Sequence, residues 1–178
     1  MKRAVFLDRD GVISRSFTRN GKPFAPTTLA EFEILTGAAA AIAALKNAGF
    51  HVIVVTNQPD VGAGKTPREV VEAMNQRLRQ ECPVDDVRVC YHTEADACDC
   101  RKPKPGLLVA AARDWAVDLR QSYMVGDRWR DIVAGQAAGC RTVLVDCGYA
   151  EKQAENPDIV VKTLPEAVEK ILSEVKHA

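Results

Sequence analysis

Short apolar runs that each end on a polar side chain recur along this chain, and their repetition is what most limits its fold. Ala4-Val5-Phe6-Leu7 runs into Asp8, His51 to Val55 into Thr56 and Asn57, and Tyr123-Met124-Val125 into Gly126-Asp127. Runs this short and this apolar suit strands buried on both faces. Further strands are predicted at Val87–Cys90, Arg141–Val145 and Ile159–Val161. Between them lie stretches with helical spacing. Thr36 or Gly37 opens one through Ala41, Ile42 and Leu45, and Gly49 closes it. Pro67 opens a second, marked by Val70, Val71, Met74 and Leu78. A third follows Pro105-Gly106 to about Val117, a fourth covers Asp131 to Ala138, and a last runs from Pro165 to Val175. The segment from Ser14 to Thr28, rich in Gly, Pro and Thr, reads as a loop. Strands alternating with helices predict an α/β fold: a single doubly wound domain over residues 1–178 with a mainly parallel sheet.

The balance of residues narrows the function. Lys+Arg and Asp+Glu both number 24, so the formal net charge is zero, which argues against general nucleic-acid affinity. No apolar run is long enough to span a membrane, and the apolar stretch after Met1-Lys2-Arg3 is too short for a signal-peptide core. A cytoplasmic protein is expected, and a monomer is compatible with the chain.

In an α/β sheet, ligands bind beyond the carboxyl ends of the strands. Asp8, Asp10, Thr56, Asn57, Cys90, His92 and Asp127 all fall at such ends. Asp8-Arg9-Asp10-Gly11 puts two carboxylates on one side of a strand end. Their repulsion calls for a cation or a shared proton, and oxygen ligands suit Mg²⁺. Taken alone, the segment also suits an ordinary Asp-Gly turn.

Cys90-x-His92, followed after five residues by Cys98-x-Cys100, is the second strong pattern. Three thiolates and one imidazole form a tetrahedral zinc set with no open position, so a structural zinc is expected. It would pin the loop that delivers Arg101 and Lys102. Cys82, Cys140 and Cys147 have no partner at ligand spacing and read as small core or surface residues. Gly62-Ala63-Gly64-Lys65-Thr66 ends like a phosphate-binding loop but has Pro59 where that motif needs Gly, so Lys65 and Thr66 read as solvent-facing. His51 and His177 read as non-catalytic.

Asp8-x-Asp10, Thr56, Lys102 and Gly126-Asp127-x-x-x-Asp131 occur in the order seen in the haloacid dehalogenase superfamily of phosphatases, which the chain therefore resembles from residue 8 to 131. The resemblance implies hydrolysis of a phosphate monoester through an aspartyl-phosphate. Asp8 would be the nucleophile and Asp10 the general acid and base, with Thr56 and Lys102 on the phosphoryl oxygens. Mg²⁺ would sit on Asp8, the backbone carbonyl of Asp10, and Asp127. Arg9, Asn57, Gln58, Arg101 and Arg128 would complete the binding of a phosphorylated small molecule. Asp131 would support the water shell of the ion or cap its helix.

The Cys-x-His…Cys-x-Cys-Arg-Lys-Pro run looks like two groups in that superfamily, the D-glycero-D-manno-heptose 1,7-bisphosphate 7-phosphatases and the histidinol-phosphate phosphatases. The gap inside the Cys/His loop is close to the latter; Thr56-Asn57-Gln58 and Gly-Asp-Arg-Trp-Arg-Asp look more like the former. Pro59-Asp60 stands where the heptose enzymes usually read Ser-Gly. A zinc-stapled binding protein with an inactive site is the alternative from another class.

Overall fold

A computed structural model describes residues 2–176; His177 lies outside them. Strand β1 (Ala4–Leu7) is buried at every residue. A hairpin of β2 (Phe17–Arg19) and β3 (Lys22–Phe24) follows, then helix α1 (Ala38–Asn47), β4 (His51–Asn57), the one-turn α2 (Pro59–Gly62) and α3 (Arg68–Glu81). Next come β5 (Asp86–Cys90), α4 (Gly106–Trp115), β6 (Tyr123–Gly126), α5 (Trp129–Ala138), β7 (Arg141–Val145), β8 (Ile159–Val161) and α6 (Leu164–Lys176).

Six strands form one sheet in the order β5-β4-β1-β6-β7-β8, and each neighbouring pair is parallel. The sheet is thus wholly parallel, beyond the mainly parallel expectation. Side chains alternate across it. Val5 and Leu7 face a core closed by Ile42 and Leu45 of α1, Met74 and Leu78 of α3, and Ile171 of α6. Ala4 and Phe6 face a second core under Leu108 and Ala111 of α4 and Ala134 of α5. This two-sided cover explains why the strands read as unbroken apolar runs.

Register then sets the position of the polar ends. Leu7 lies level with Val54 on one side and Val125 on the other. Asp8 leaves the sheet between the ends of β4 and β6, where the chain order reverses about β1. That reversal point is where a crevice opens in sheets of this kind.

Two segments differ from expectation. The stretch from Ser14 to Thr28 holds the β2–β3 hairpin, turned at Asn20 and Gly21, both at positive φ (51° and 74°). Asn-Gly suits such a turn, but the strands are short, half or fully exposed, and carry Pro23, so no apolar pattern reveals them. Thr66 is buried and not solvent-facing, whereas Lys65 is exposed.

Candidate active site

A cavity of about 180 Å³ opens over the carboxyl ends of β1, β4 and β6, and Pro23, Phe24 and Ala25 of the hairpin form one wall. Asp8, Asp10, Thr56, Asn57 and Asp127 from the strand ends line it, with Gln58, Lys102 and Arg128, while Cys90 and His92 do not. Arg130 and Asp131 line it as well.

Lys102 is the hub. Its side chain is 2% exposed, and its ammonium donates to Asp8 Oδ1 (2.9 Å), Asp131 Oδ1 (2.7 Å) and the Val55 carbonyl (2.7 Å). These three bonds use all the donors an ammonium has. Burial alone would lower its pKa, but the Asp131 and Asp8 carboxylates reverse that and raise it, so it stays charged. Asn57 holds the hub from the sheet: its side-chain amide donates to the Lys102 carbonyl (3.0 Å), and its Oδ1 accepts from the Lys102 N–H (3.1 Å).

Oxygens of Asp8, Asp127 and Asp131 lie within 4.8 Å of one another, and all three residues are buried. Burial raises Asp8; Lys102 opposes this, Asp131 and Asp10 reinforce it, and the result is about 6. Asp127 is likewise pushed well up by burial and by Asp8 and Asp131. Among the described residues, Asp127 Oδ1 is buried without any hydrogen-bond partner. One ammonium against three carboxylates leaves negative charge unbalanced, and hard oxygen donors with an orphaned lone pair fit a cation such as Mg²⁺. The backbone permits this crowding at Gly11, which has φ of 91° and where a Cβ would stand 2.0 Å from Asp127 Oδ2.

The Asp10 side chain turns away from this cluster. It accepts from Arg9 (3.1 and 3.0 Å), Ser14 (3.1 Å) and Gln58 (2.8 Å). Gln58 also donates to Thr56 Oγ1 (3.0 Å), which leaves the Thr56 hydroxyl proton free to donate outward. Asp131 caps α5 by accepting from the Arg128 N–H (3.0 Å), as the sequence reading allowed, and it also joins the acidic cluster.

Arg9 stands apart from the cavity. Expected at the substrate, it is fully buried and does not line the cavity. Its guanidinium is held by Asp10 and by Asn75 Oδ1 (2.8 Å), and it packs over Phe32. Arg101 is half-buried and stands outside the cavity lining. Arg128 lines the cavity but is engaged by Glu151, with Nε donating to Oε1 at 2.9 Å. Sequence reasoning missed Arg130, which packs on Trp129 and pairs with no carboxylate among the described residues. Burial and the charges of Arg101 and Arg128 lower its pKa, and those of Glu94 and Glu151 oppose this. It also missed Tyr149, whose hydroxyl donates to Asp127 Oδ2 (2.8 Å). The strand-end rule that singled out Asp8 points to Asp146 after Val145, and no local signal marks Tyr149.

Beside the cavity, Cys90, His92, Cys98 and Cys100 gather with their ligand atoms within 4.8 Å of one another. The sulfurs lie 3.0, 3.5 and 3.7 Å apart, and His92 Nδ1 is 3.3 Å from Cys100 and 3.6 Å from Cys90. A tetrahedron with sulfur about 2.3 Å from zinc has edges of about 3.8 Å, so the set is close to a zinc cage. Cys82 and Cys140 are buried and Cys147 is exposed, outside that set.

Comparisons with known proteins agree with this layout. A family profile described as HAD-hydrolase-like matches residues 99–167. The D-glycero-beta-D-manno-heptose-1,7-bisphosphate 7-phosphatase of Pseudomonas putida is 39% identical over 158 residues, covering 86% of this chain and 87% of its own. The enzyme of the same name from Escherichia coli is 34% identical over 185 residues, covering 94% of each chain. The crystal structure of the D,D-heptose 1,7-bisphosphate phosphatase from B. bronchiseptica, complexed with magnesium and phosphate, matches with a TM-score of 0.78 and 31% identity. That match covers 98% of this chain and 99% of the other. With these identities extending over nearly the whole chain, the protein belongs to the haloacid dehalogenase-like hydrolase family that includes the heptose-bisphosphate phosphatases.

Proposed function

We propose that this protein hydrolyses a phosphate monoester through an aspartyl-phosphate, removing the 7-phosphate of D-glycero-D-manno-heptose 1,7-bisphosphate. The observation that carries the reading is the convergence of Asp8, Thr56, Lys102 and Asp127 on one cavity. The names of its relatives and the unpaired Arg130 near Arg101 support the bisphosphate substrate.

The Asp8 carboxylate, kept charged by Lys102, attacks phosphorus, and the bond from phosphorus to the sugar oxygen breaks. Asp10 gives its proton to that leaving oxygen, then takes one from the water that cleaves the aspartyl-phosphate. Gln58 links Asp10 to Thr56, whose hydroxyl binds a phosphoryl oxygen, and the Lys102 ammonium exchanges one of its three bonds for another phosphoryl oxygen. Asp8, the Asp10 backbone carbonyl and Asp127 would hold Mg²⁺, whose charge would offset the repulsion between nucleophile and phosphate. Arg130 from the cavity lining and Arg101 from beyond it take the second phosphate, and Arg128 lines the cavity braced by Glu151.

A steady-state assay with magnesium tests the substrate. Two charge-assisted contacts at about 1.5 kcal/mol each predict that kcat/KM for the heptose bisphosphate exceeds that for histidinol phosphate by about 100-fold. The reverse ranking would make the enzyme a histidinol-phosphate phosphatase, and no turnover of either would favour an inactive binding protein.

The Cys90, His92, Cys98 and Cys100 set is proposed to hold a structural zinc that fixes the loop leading to Arg101 and Lys102. About one zinc per chain should survive dialysis against a mild chelator that removes magnesium. Cys98→Ser should release it and lower kcat/KM by about 10- to 100-fold, with far-UV circular dichroism nearly unchanged. Full activity without zinc would deny the loop a part in catalysis.

A further inference from the structure

We propose that Tyr149 is the positioning residue of the cation site: its phenol fixes the Asp127 carboxylate so that one oxygen is kept for the ion. The inference rests on the magnesium reading of the acidic cluster. Asp127 has two oxygens with opposite surroundings. Oδ2 accepts the Tyr149 hydroxyl at 2.8 Å and lies against the Gly11 backbone. Oδ1 is buried with no partner among the described residues. A carboxylate accepts and cannot donate, so the phenol proton belongs to this bond. Ser16 Oγ, 3.1 Å from the Tyr149 oxygen, then donates to it and orients that proton.

The two bonds join segments distant in the chain: Ser16 directly precedes β2, Asp127 directly follows β6, and Tyr149 lies in the segment after β7. The segment after β7 is held independently: the Ala150 N–H donates to the Gly21 carbonyl (2.8 Å), and Glu151 pairs with Arg128. Tyr149→Phe therefore keeps the ring and both of these ties and removes only the hydroxyl. Without it, Asp127 is free to rotate its carboxylate out of register with Asp8 and Asp131. Groups that orient metal ligands in this way are typically worth about 10- to 100-fold in affinity.

The test is Mn²⁺ binding to the zinc-loaded protein, read from the free-ion signal in electron paramagnetic resonance, with no substrate present. Tyr149→Phe should raise the dissociation constant at least about 10-fold. The Mg²⁺ concentration for half-maximal activity should rise in parallel, with kcat at saturating Mg²⁺ within about 3-fold of the parent. An affinity within about 2-fold of the parent would overturn the proposal, because a purely structural strap would leave ion binding unmoved. Should Tyr149→Phe lose its far-UV circular dichroism, Ser16→Ala decides. It withdraws the donor that orients the phenol and should raise the constant about 3-fold, and no change there would overturn the proposal. A parent protein that binds no Mn²⁺ would overturn it together with the magnesium reading. Normal Mn²⁺ binding without phosphatase turnover would sink the proposed activity alone and leave the Tyr149 comparison valid.

Discussion

Asp8→Asn is expected to lower kcat/KM by about 10⁴-fold or more while leaving the protein folded. The amide keeps the shape of the carboxylate, and its oxygen can still accept from the Arg9 N–H (2.8 Å) and from Lys102. It loses the negative charge that attacks phosphorus. It also removes one of three crowded carboxylates, the repulsion that helps hold Asp8 near 6. In magnesium-free buffer the variant should therefore melt no lower than the parent, so inactivity cannot be assigned to unfolding. Steady-state kinetics and a thermal melt check both halves. Turnover within about 100-fold of the parent would end the aspartyl-phosphate mechanism.

Lys102→Met should damage both stability and rate. Methionine matches the length of the stem but leaves Asp8, Asp131 and the Val55 carbonyl without their shared donor. Breaking a buried ion pair from one side costs about 3–5 kcal/mol, which for a domain of this size lowers the melting temperature by about 10 °C. Loss of the ammonium at the phosphoryl oxygens should cost about 10³-fold in kcat/KM. Saturating Mg²⁺ should recover part of the lost stability, because the cation takes over the charge Lys102 had balanced. An unchanged melting temperature would show that the Asp8–Lys102–Asp131 contact carries little energy.

The core of this architecture was legible because it depends on local pattern. Val5 and Leu7 against Ala4 and Phe6 need no partner to be read as a strand, and a carboxylate one step beyond Leu7 must leave the sheet at its end. The Cys and His spacing was equally plain, since four ligands within eleven residues leave few other chemistries. The burial of Arg9 was not legible because its environment comes from distant elements: Asn75 of α3 and Phe32 bury a charge that looks available in sequence. Arg128 and Arg130 look equivalent in Gly-Asp-Arg-Trp-Arg-Asp. Glu151, arriving from beyond β7, pairs with the first, while the second pairs with no carboxylate among the described residues. The hairpin over the cavity escaped notice because its strands bury little, and the Asn20-Gly21 turn was its one strong local signal.

The central place of β1 in the sheet has a consequence for how the protein is made. It is synthesised before both of the neighbours it needs: β4, at residues 51–57, and β6, at residues 123–126. At about 5–20 residues per second, the second neighbour follows the first strand by roughly 6–24 s. Throughout that interval four apolar residues have an open edge that the nascent chain must keep from other strands. The acidic cluster shares the delay, since Asp8 is synthesised early and Asp127 and Asp131 late. No unfinished chain that stops short of β6 holds an assembled catalytic centre, and cation binding is reserved for molecules whose sheet is already closed around β1.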